Sequence, residues 1–193
     1  RKLAKAMSGT IQALSMTVEI RDPYTSGHQR RVTHIAVAVA NEMGLPEKNI
    51  KAVEVAGILH DIGKLYVPAE ILSKPGKISQ NEFNIIKEHA SVGYEILKGI
   101  EFEYPVADIA YQHHERINGT GYPKGLKNGQ ILIEAKIIAV ADVVESMASH
   151  RPYRPALGIE KALEEIINNK NILYDPEVVD ACVRLFTEKS FTF

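Results

Sequence analysis

This sequence of 193 residues has no tryptophan, a single cysteine and no long apolar run. One cysteine, Cys182, cannot form an internal disulfide, so the class of small disulfide-held secreted domains is excluded and a reducing compartment is expected. A membrane-spanning helix needs about 20 consecutive apolar residues, and no segment comes close. The formal net charge of −1 argues against binding of a nucleic-acid polymer or a membrane through a basic surface. The length suits one well-filled domain.

Strand-like alternation of apolar and polar residues is also absent, and helical spacing is found nearly everywhere. The spacing predicts helices over residues 27–43, 50–59, 80–89, 91–98, 105–115, 131–148, 159–168 and 176–186. Ser79 followed by Glu82 is typical of a capping box at a helix start. Residues 116–130 contain four glycines and a proline, so we expect no helix there. The sequence therefore predicts an all-α domain.

The first predicted helix has two interpretations. Its apolar stripe consists of Leu3, Met7, Ile11, Leu14 and Val18. The stripe either docks on the domain core or, because its spacing is close to a heptad, continues a coiled coil that links or dimerises the chain. Position 1 is arginine and no signal peptide is visible, so we expect a piece of a longer protein. We place the N-terminal helix, either docked on the core or a linker from an upstream regulatory domain, at 1–16 and the main domain at 17–193.

Histidines and aspartates form a scattered set with the composition of a metal site. Its members are His28, His60, Asp61, His89, His113, His114 and Asp142. Imidazole together with carboxylate suits Mn, Fe, Co, Ni or Zn, whereas an oxygen-only set would suit Mg or Ca. A lone buried histidine is more often a hydrogen-bonded core residue, so His34 is interpreted as structural. His150 is either a surface residue or a ligand-contacting one.

The adjacent pairs in this set are informative because neighbouring residues on a helix point about 100° apart. His60 and Asp61 can converge on one site only at a helix end, where the spacing puts them, and the tandem histidines at 113–114 have the same placement. Asp61 can offer its two oxygens to two ions. Two-metal hydrolytic sites need such a bridge, with ions about 3.5–4 Å apart.

Five segments carry a further resemblance. They are RDPYTSGHQRRV at 21–32, HDIGK at 60–64, KEHASVGYEIL at 87–97, HHERINGTGYPKG at 113–125 and ADVVESMASHRPYRPA at 141–156. The HD dipeptide alone is a weak signal, but these motifs in this order and spacing are together specific. From about Thr17 to Ala156 the chain resembles the HD-GYP family, a branch of the HD-domain metal-dependent phosphohydrolases.

The resemblance implies an HD-domain helical bundle with a metal centre in its core, in which residues 17–193 are the catalytic domain. It implies a phosphodiesterase that opens cyclic di-GMP, a bacterial second messenger, to pGpG and often cuts onward to GMP. Implied ligands of one divalent transition-metal ion are His28, His60, Asp61 and Asp142. Implied ligands of the second ion are Asp61, His89, His113 and His114. Asp61 would bridge the two, and the attacking hydroxide would come from a water that both ions share.

Three further residues take roles by the same resemblance. Lys64 matches a lysine beside the scissile phosphate, and Arg151 and Arg154 match arginines that face the substrate phosphates. Two alternatives remain open: hydrolysis of another cyclic dinucleotide such as cyclic GMP-AMP, and a non-catalytic signalling module that binds nucleotide or a partner. The intact ligand set and Lys64 favour the enzyme. The expected location is the bacterial cytoplasm, either free or tethered to the membrane through upstream sequence.

The sequence departs from the family at two places. Some members carry a glutamate where Tyr24 stands, and it helps to hold a third metal. A phenol with an ordinary pKa near 10 is a poor replacement at neutral pH, so we predict two ions. After Asp142, four residues differ from those that are more common in the family: Val144, Glu145, Ser146 and His150. None is a metal ligand in the family, so substrate preference rather than activity is in question.

The glycine loop Gly119–Pro123 has two candidate roles. Tyr122 stacks either on guanine or on neighbouring helices, or the exposed loop contacts a cyclase domain of the GGDEF kind. Arg31 and Arg116 either add to a positive mouth of the site or pair with nearby carboxylates.

Overall fold

The computed structural model describes residues 2–22, 26–149 and 156–193. Over these residues the chain forms nine α-helices and no β-strand, which confirms the all-α prediction. The helices are α1 Lys2–Arg21, α2 His28–Glu42, α3 Glu47–Leu59, α4 Ala69–Leu72, α5 Gln80–Leu97, α6 Val106–Gln112, α7 Ile133–Ala148, α8 Ile159–Asn168 and α9 Pro176–Glu188. Two short 3-10 helices lie at Ile62–Tyr66 and Asn128–Gln130.

The helix ends follow the local sequence. After α2, Gly44 takes a left-handed conformation with φ +68°, which a residue with a side chain rarely adopts, and Pro46 precedes α3. The predicted capping box is present at α5, where Ser79 Oγ accepts the Glu82 amide at 3.3 Å and the Glu82 carboxylate accepts the Ser79 amide at 2.7 Å. Three features differ from the prediction: residues 91–98 continue α5 rather than form a separate helix, α4 was not predicted, and a 3-10 helix at Asn128–Gln130 ends a stretch where no helix was expected.

The core lies between α2 and α7, and α3, α6, α8 and α9 pack around this pair. Ile35 and Val39 of α2 and Ile137 and Ile138 of α7 are fully buried. Each such side chain stabilises the fold by about 1.5–3 kcal/mol relative to an exposed one. On the other side, α5 packs against α6 and the 3-10 helix at 62–66. The candidate ligands lie where these two sets of helices meet.

Helix α1 contacts the domain through its C-terminal half. Ser15 and Val18 are buried, and the helix packs against α3 and the 3-10 helix at 62–66. It continues through the predicted boundary at residue 16 as far as Arg21. Met16 and Ile20 remain 60% and 80% exposed on its other side, so docking on the core leaves an apolar surface uncovered. The domain boundary stays a prediction. Among the described residues, no helix is both long and apolar enough to cross a membrane.

Candidate metal centre

All seven predicted ligands lie together in the interior of the described structure. They come from five helices: His28 begins α2, His60 and Asp61 follow α3, His89 lies in α5, His113 and His114 follow α6, and Asp142 lies in α7. The placement of the two adjacent pairs at helix ends agrees with the sequence prediction. His114 and Asp142 are partly exposed, and the other five are buried, so the cluster opens to solvent on one side.

The candidate ligand atoms fall into two groups. We name them the first group, His28, His60 and Asp142, and the second group, His89, His113 and His114. Within each group, one ligand atom from every residue lies within 4.8 Å of the others. A further triplet of His60, Asp61 and His113 satisfies the same criterion and connects the two groups. The two groups contain the same residues as the two ligand sets that the resemblance implied, except that Asp61 lies in the connecting triplet; their roles as ligands stay a prediction.

Asp61 turns one oxygen to each group. Its Oδ1 lies 3.5 Å from His89 Nε2, while its Oδ2 lies 3.5 Å from His60 Nε2 and 3.8 Å from His28 Nε2. Burial opposes ionisation of this carboxyl, but Lys64 and the surrounding histidines outweigh it and hold the pKa of Asp61 well below its usual range. Asp61 is therefore an anion between the groups, as a bridging ligand must be.

Hydrogen bonds to backbone carbonyls aim three of the imidazoles. The Nδ1 atoms of His60, His89 and His113 donate to the carbonyls of residues 57, 86 and 110, at 2.7, 2.6 and 2.6 Å. Because a carbonyl only accepts, Nδ1 carries the proton in each ring. The Nε2 atom is then the free ligand atom that points into the cluster.

The same rings give a direct test of whether a cation fits. Burial lowers the pKa of His89 and lowers that of His113 to about 3, so both rings are neutral. Their Nε2 atoms nevertheless face each other at 3.4 Å, each with a lone pair. Among the described residues, buried His60 Nε2 has no hydrogen-bond partner either. Lone pairs that converge in this way repel one another, and a shared cation satisfies them. The donor set therefore fits a transition-metal ion.

Glu145 belongs to the centre although sequence reasoning gave it no role there. Its carboxylate is buried, and Oε2 lies 2.5 Å from His28 Nδ1 while Oε1 accepts from Arg31 Nε at 2.6 Å and Ser149 Oγ at 2.7 Å. Burial opposes ionisation, but His28 outweighs it and lowers the pKa of Glu145 to about 2. Its position one turn after Asp142, on the same face of α7, is the signal that could have revealed it. Arg31 thus pairs with a carboxylate, one of the two alternatives.

Lys64 lies beside the shared carboxylate. Its Nζ is 2.7 Å from Asp61 Oδ2 and 3.7 Å from Asp22 Oδ2. Burial disfavours the ammonium, but Asp61 and Asp22 outweigh it and raise the pKa of Lys64, so the side chain stays charged. Its position depends on Gly63, where an added Cβ would lie 1.9 Å from the His89 carbonyl oxygen. The backbone of the HDIGK segment therefore touches α5 directly.

The structure describes some of the remaining predicted residues but not others. Tyr122 stacks on His114, with ring centroids 4.7 Å apart, so its ring packs on the centre itself. Arg116 donates to the Glu115 carbonyl at 2.9 Å and lies over the Tyr174 ring at 5.3 Å. His34 lies outside the cluster and packs against Phe191, but it is exposed, so it is not the buried core histidine on which its structural interpretation rested. The predictions for Tyr24, His150, Arg151 and Arg154 fall outside the described residues.

Comparison with known proteins identifies the family. Residues 12–178 match the family model described as "HD domain". The chain is 42% identical over 177 residues to the cyclic di-GMP phosphodiesterase response regulator RpfG of Xanthomonas campestris pv. campestris, covering 91% of this chain and 47% of the relative. It is 35% identical to the 3'3'-cGAMP-specific phosphodiesterase 3 of Vibrio cholerae, covering 86% of this chain and 36% of the relative. The chain thus spans half or less of the length of these relatives.

A solved structure supports the same fold. The cyclic GMP-AMP-specific phosphodiesterase V-cGAP3 of V. cholerae aligns with a TM-score of 0.71 at 17% identity, over 94% of this chain and 49% of that one. Phosphohydrolases of the HD domain family depend on metal ions, and the clustered histidines and aspartates are of the kind that bind them. This chain belongs to the HD domain family, in the HD-GYP branch that its motifs resemble.

Proposed function

We propose that the chain is a metal-dependent phosphodiesterase that hydrolyses cyclic di-GMP to pGpG, with further cleavage to GMP as a second step. One observation carries the proposal: two groups of ligand atoms meet at the shared carboxylate of Asp61, with the cation of Lys64 at 2.7 Å from it. The 42% identity to a cyclic di-GMP phosphodiesterase supports the choice of substrate. The expected location in the bacterial cytoplasm belongs to the same proposal.

The proposed cofactor is a pair of divalent ions. The first group and Asp61 would hold one ion, and the second group and Asp61 would hold the other. Imidazole and carboxylate ligands favour Fe, Mn, Ni, Co or Zn, and cellular supply decides among them. When bound, such a pair lowers the pKa of a coordinated water and offsets charge on the phosphate.

The chain's own residues bind and orient the phosphodiester. Asp61 remains an anion and directs one oxygen to each of the two ligand groups. Lys64, whose side chain is 16% exposed, can donate from its ammonium to a phosphate oxygen at the open side of the cluster. Arg151 and Arg154 extend this positive surface in the proposal, because a guanidinium binds phosphate with two parallel hydrogen bonds.

A related cyclic dinucleotide is the second candidate substrate. The 35% identity to a 3'3'-cGAMP-specific phosphodiesterase favours it. Glu145 in the wall of the site favours it as well, because the family more often has aspartate at this position. The two candidates are separated by kcat/KM for cyclic di-GMP and 3'3'-cGAMP measured on the same preparation. A higher value for 3'3'-cGAMP would replace the first candidate by the second.

The central experiment combines metal content with turnover. The purified chain is reconstituted with Fe(II), Mn(II) or Ni(II), the bound metal is counted by mass spectrometry, and pGpG is followed by chromatography. We expect two ions per chain and formation of pGpG. Fewer than two ions and no pGpG would refute the dinuclear phosphodiesterase. Two ions with no turnover of either dinucleotide would instead indicate a binding module.

Lys64→Ala tests the phosphate contact. Loss of one preorganised cation beside the scissile phosphate is expected to lower kcat by about 100-fold, while both ions remain bound. Lys48→Ala, which removes an exposed lysine from α3, is the matched control and should turn over like the parent. Equal rates for the two variants would remove Lys64 from the mechanism.

We also propose two protein partners. The exposed apolar side of α1, with Met16 and Ile20, supports homodimerisation through that helix. The exposed tip of the glycine loop, with Thr120 and Lys124, supports contact with a GGDEF-type domain. Light scattering of the parent and of Ile20→Lys tests the first partner, and a monomeric parent would refute it. Titration of the parent and Lys124→Glu with a purified GGDEF domain tests the second, and equal binding would refute the loop contact.

A further inference from the structure

The loop from Gly119 to Leu126 is fastened to the segment that carries the tandem histidines. The carboxylate of Glu115 is buried, with the residue 3% exposed. Its Oε1 accepts the amide of Lys124 at 2.7 Å, and its Oε2 accepts the amide of Leu126 at 2.8 Å. Charge-assisted bonds of this kind are stronger than neutral ones. Both oxygens of the acidic residue next to His114 therefore bind the loop.

A second attachment lies at Gly121. A Cβ there would lie 2.4 Å from both the Arg116 amide nitrogen and Glu115 Cα, and 2.5 Å from the His114 carbonyl oxygen. Because these are backbone atoms, only glycine permits the contact. The next residue, Tyr122, donates its amide to the same His114 carbonyl at 3.3 Å. The backbone of Tyr122 is thus held directly beside His114.

This attachment places the ring of Tyr122 on the ring of His114. Their centroids are 4.7 Å apart with planes 27° from parallel, while Phe83 and His89 meet Tyr122 edge-on at 6.5 and 6.4 Å. Tyr122 is therefore enclosed by aromatic rings on several sides. Stacked aromatic contacts fix the orientation of both partners.

His114 differs from the other histidines in how it is aimed. His60, His89 and His113 each donate from Nδ1 to a backbone carbonyl. Within the described part of the chain, the His114 imidazole makes no such bond, and its ring contacts are with His113, His89 and Tyr122. Its orientation therefore depends on ring packing, to which Tyr122 contributes the most nearly parallel face.

We propose that Tyr122 is a positioning residue of the metal centre, whose ring, carried by the loop that Glu115 fastens, fixes the imidazole of His114 in the second group. The inference rests on the proposed function for the role of the ions. It gives the GYP motif a task inside the centre: glycine allows the loop to touch the histidine segment, and tyrosine supplies the stacking face. The phenol hydroxyl has no part in this task, so phenylalanine should replace tyrosine.

Metal binding tests the proposal without an activity assay. Mn(II) binding by equilibrium dialysis is compared for the parent, Tyr122→Leu, Tyr122→Phe and the loop control Thr120→Ala. We expect Tyr122→Leu to bind one ion as the parent does and the other about 10–100-fold more weakly, the usual effect of losing an outer contact to a ligand. Tyr122→Phe and Thr120→Ala should match the parent. Parental affinity for both ions in Tyr122→Leu would overturn the proposal. If the same variant also had a raised KM for cyclic di-GMP, Tyr122 would be a substrate-binding residue instead.

Glu115→Gln provides a second variant that keeps the tyrosine ring. The glutamine NH2 group would face a loop N–H that the carboxylate oxygen accepts in the parent, and two donors cannot bond to each other. The loop is therefore loosened although Tyr122 is still present. The same ion should bind more weakly than in the parent. Circular dichroism establishes that each variant is folded. Unchanged binding in folded Glu115→Gln would remove the loop attachment from the proposal.

A metal-free measurement separates this inference from the proposed function. In the apo protein, the stacked Tyr122 ring should shift the ring protons of His114 upfield in the NMR spectrum, with His114→Gln used for assignment. The shift should vanish in Tyr122→Leu and persist in Tyr122→Phe. An unchanged His114 signal in Tyr122→Leu overturns the positioning role. If the parent binds fewer than two ions, the dinuclear centre fails, and the NMR result still decides whether Tyr122 orients His114.

Discussion

The two ligand groups differ in the charge that surrounds them. In the first group, burial disfavours a charged His28, but Asp142 and Glu145 outweigh it and raise its pKa to about 9. In the second group, burial and the neighbouring imidazoles lower the pKa of His113 to about 3. Both rings are buried, so burial alone does not decide their protonation. The carboxylates do, and they make one half of the centre acid-rich and the other rich in neutral nitrogen.

The largest expected effect comes from Gly63→Ala, in the segment that carries Asp61 and at its contact with α5, which carries His89. The added Cβ would lie 1.9 Å from the His89 carbonyl oxygen and 2.5 Å from the Gly93 nitrogen, both backbone atoms. We expect a loss of about 4 kcal/mol or more in unfolding free energy, as for severe overpacking, and loss of both ions. Urea unfolding measures the change.

The matched control is Gly99→Ala, beyond the end of α5, where an added Cβ has open space. It should remain within about 0.5 kcal/mol of the parent. A Gly63→Ala protein with parental stability would show that the two segments can separate without cost, and that the observed approach is not required.

Asp61→Asn removes the carboxylate that the halves share. Both ions should bind more weakly, and cyclic di-GMP turnover should fall by about 100-fold or more, since metal stabilisation of the transition state is worth several kcal/mol. His28→Gln and His114→Gln provide the comparison, because each should weaken one ion. Metal content and rate are measured together. If Asp61→Asn weakened only one ion, the carboxylate would belong to one half alone.

Glu145→Gln tests the acid-rich half separately. Loss of the charged partner of His28 Nδ1 is expected to weaken one ion by about 10–100-fold and to leave the other at parental affinity. Ser149→Ala is the control, since it removes one hydrogen bond to Glu145 and leaves the histidine contact. Mn(II) titration gives both affinities. Equal weakening of the two ions would mean that the halves are not independent.

The smallest effect is expected from Ser79→Ala, outside both halves. It removes the cap of α5 and should lower the unfolding free energy by about 1 kcal/mol. Both ions should bind as in the parent, because the cap lies at the opposite end of α5 from the contact with Gly63 near Gly93. Urea unfolding and Mn(II) titration provide the two readings. Altered metal binding would show that the centre depends on the whole length of α5.

The ligands could be predicted from sequence because metal-binding side chains are recognisable by type and by position at helix ends. Their partners could not. Glu145 lies 117 residues from His28, and Lys64 lies 42 residues from Asp22, so these contacts depend on how the helices pack. A buried carboxylate has no distinct pattern in sequence.

The helices were predictable to within a few residues where caps were clear, as at Gly44 and Ser79. The continuation of α5 was missed because helical spacing does not show whether two neighbouring stretches are joined. In the structure, Gly93 lies inside α5 at the contact with Gly63, and this packing favours an unbroken helix. Loop contacts such as that of Glu115 were missed for the same reason: they join residues through space.

The carbonyl bonds of His60 and His113 have a consequence for the ions themselves. Each ring donates to a carbonyl in the last turn of its own helix, where carbonyls lack the amide partners of a continuing helix. The aim of the ring is therefore set as the helix ends form, and rotamer entropy is lost during folding rather than on binding. An arriving ion meets side chains that are already immobile. In return, an ion bound as proposed would stabilise the folded ends of α3 and α6, so chelation should lower the melting temperature of the whole domain.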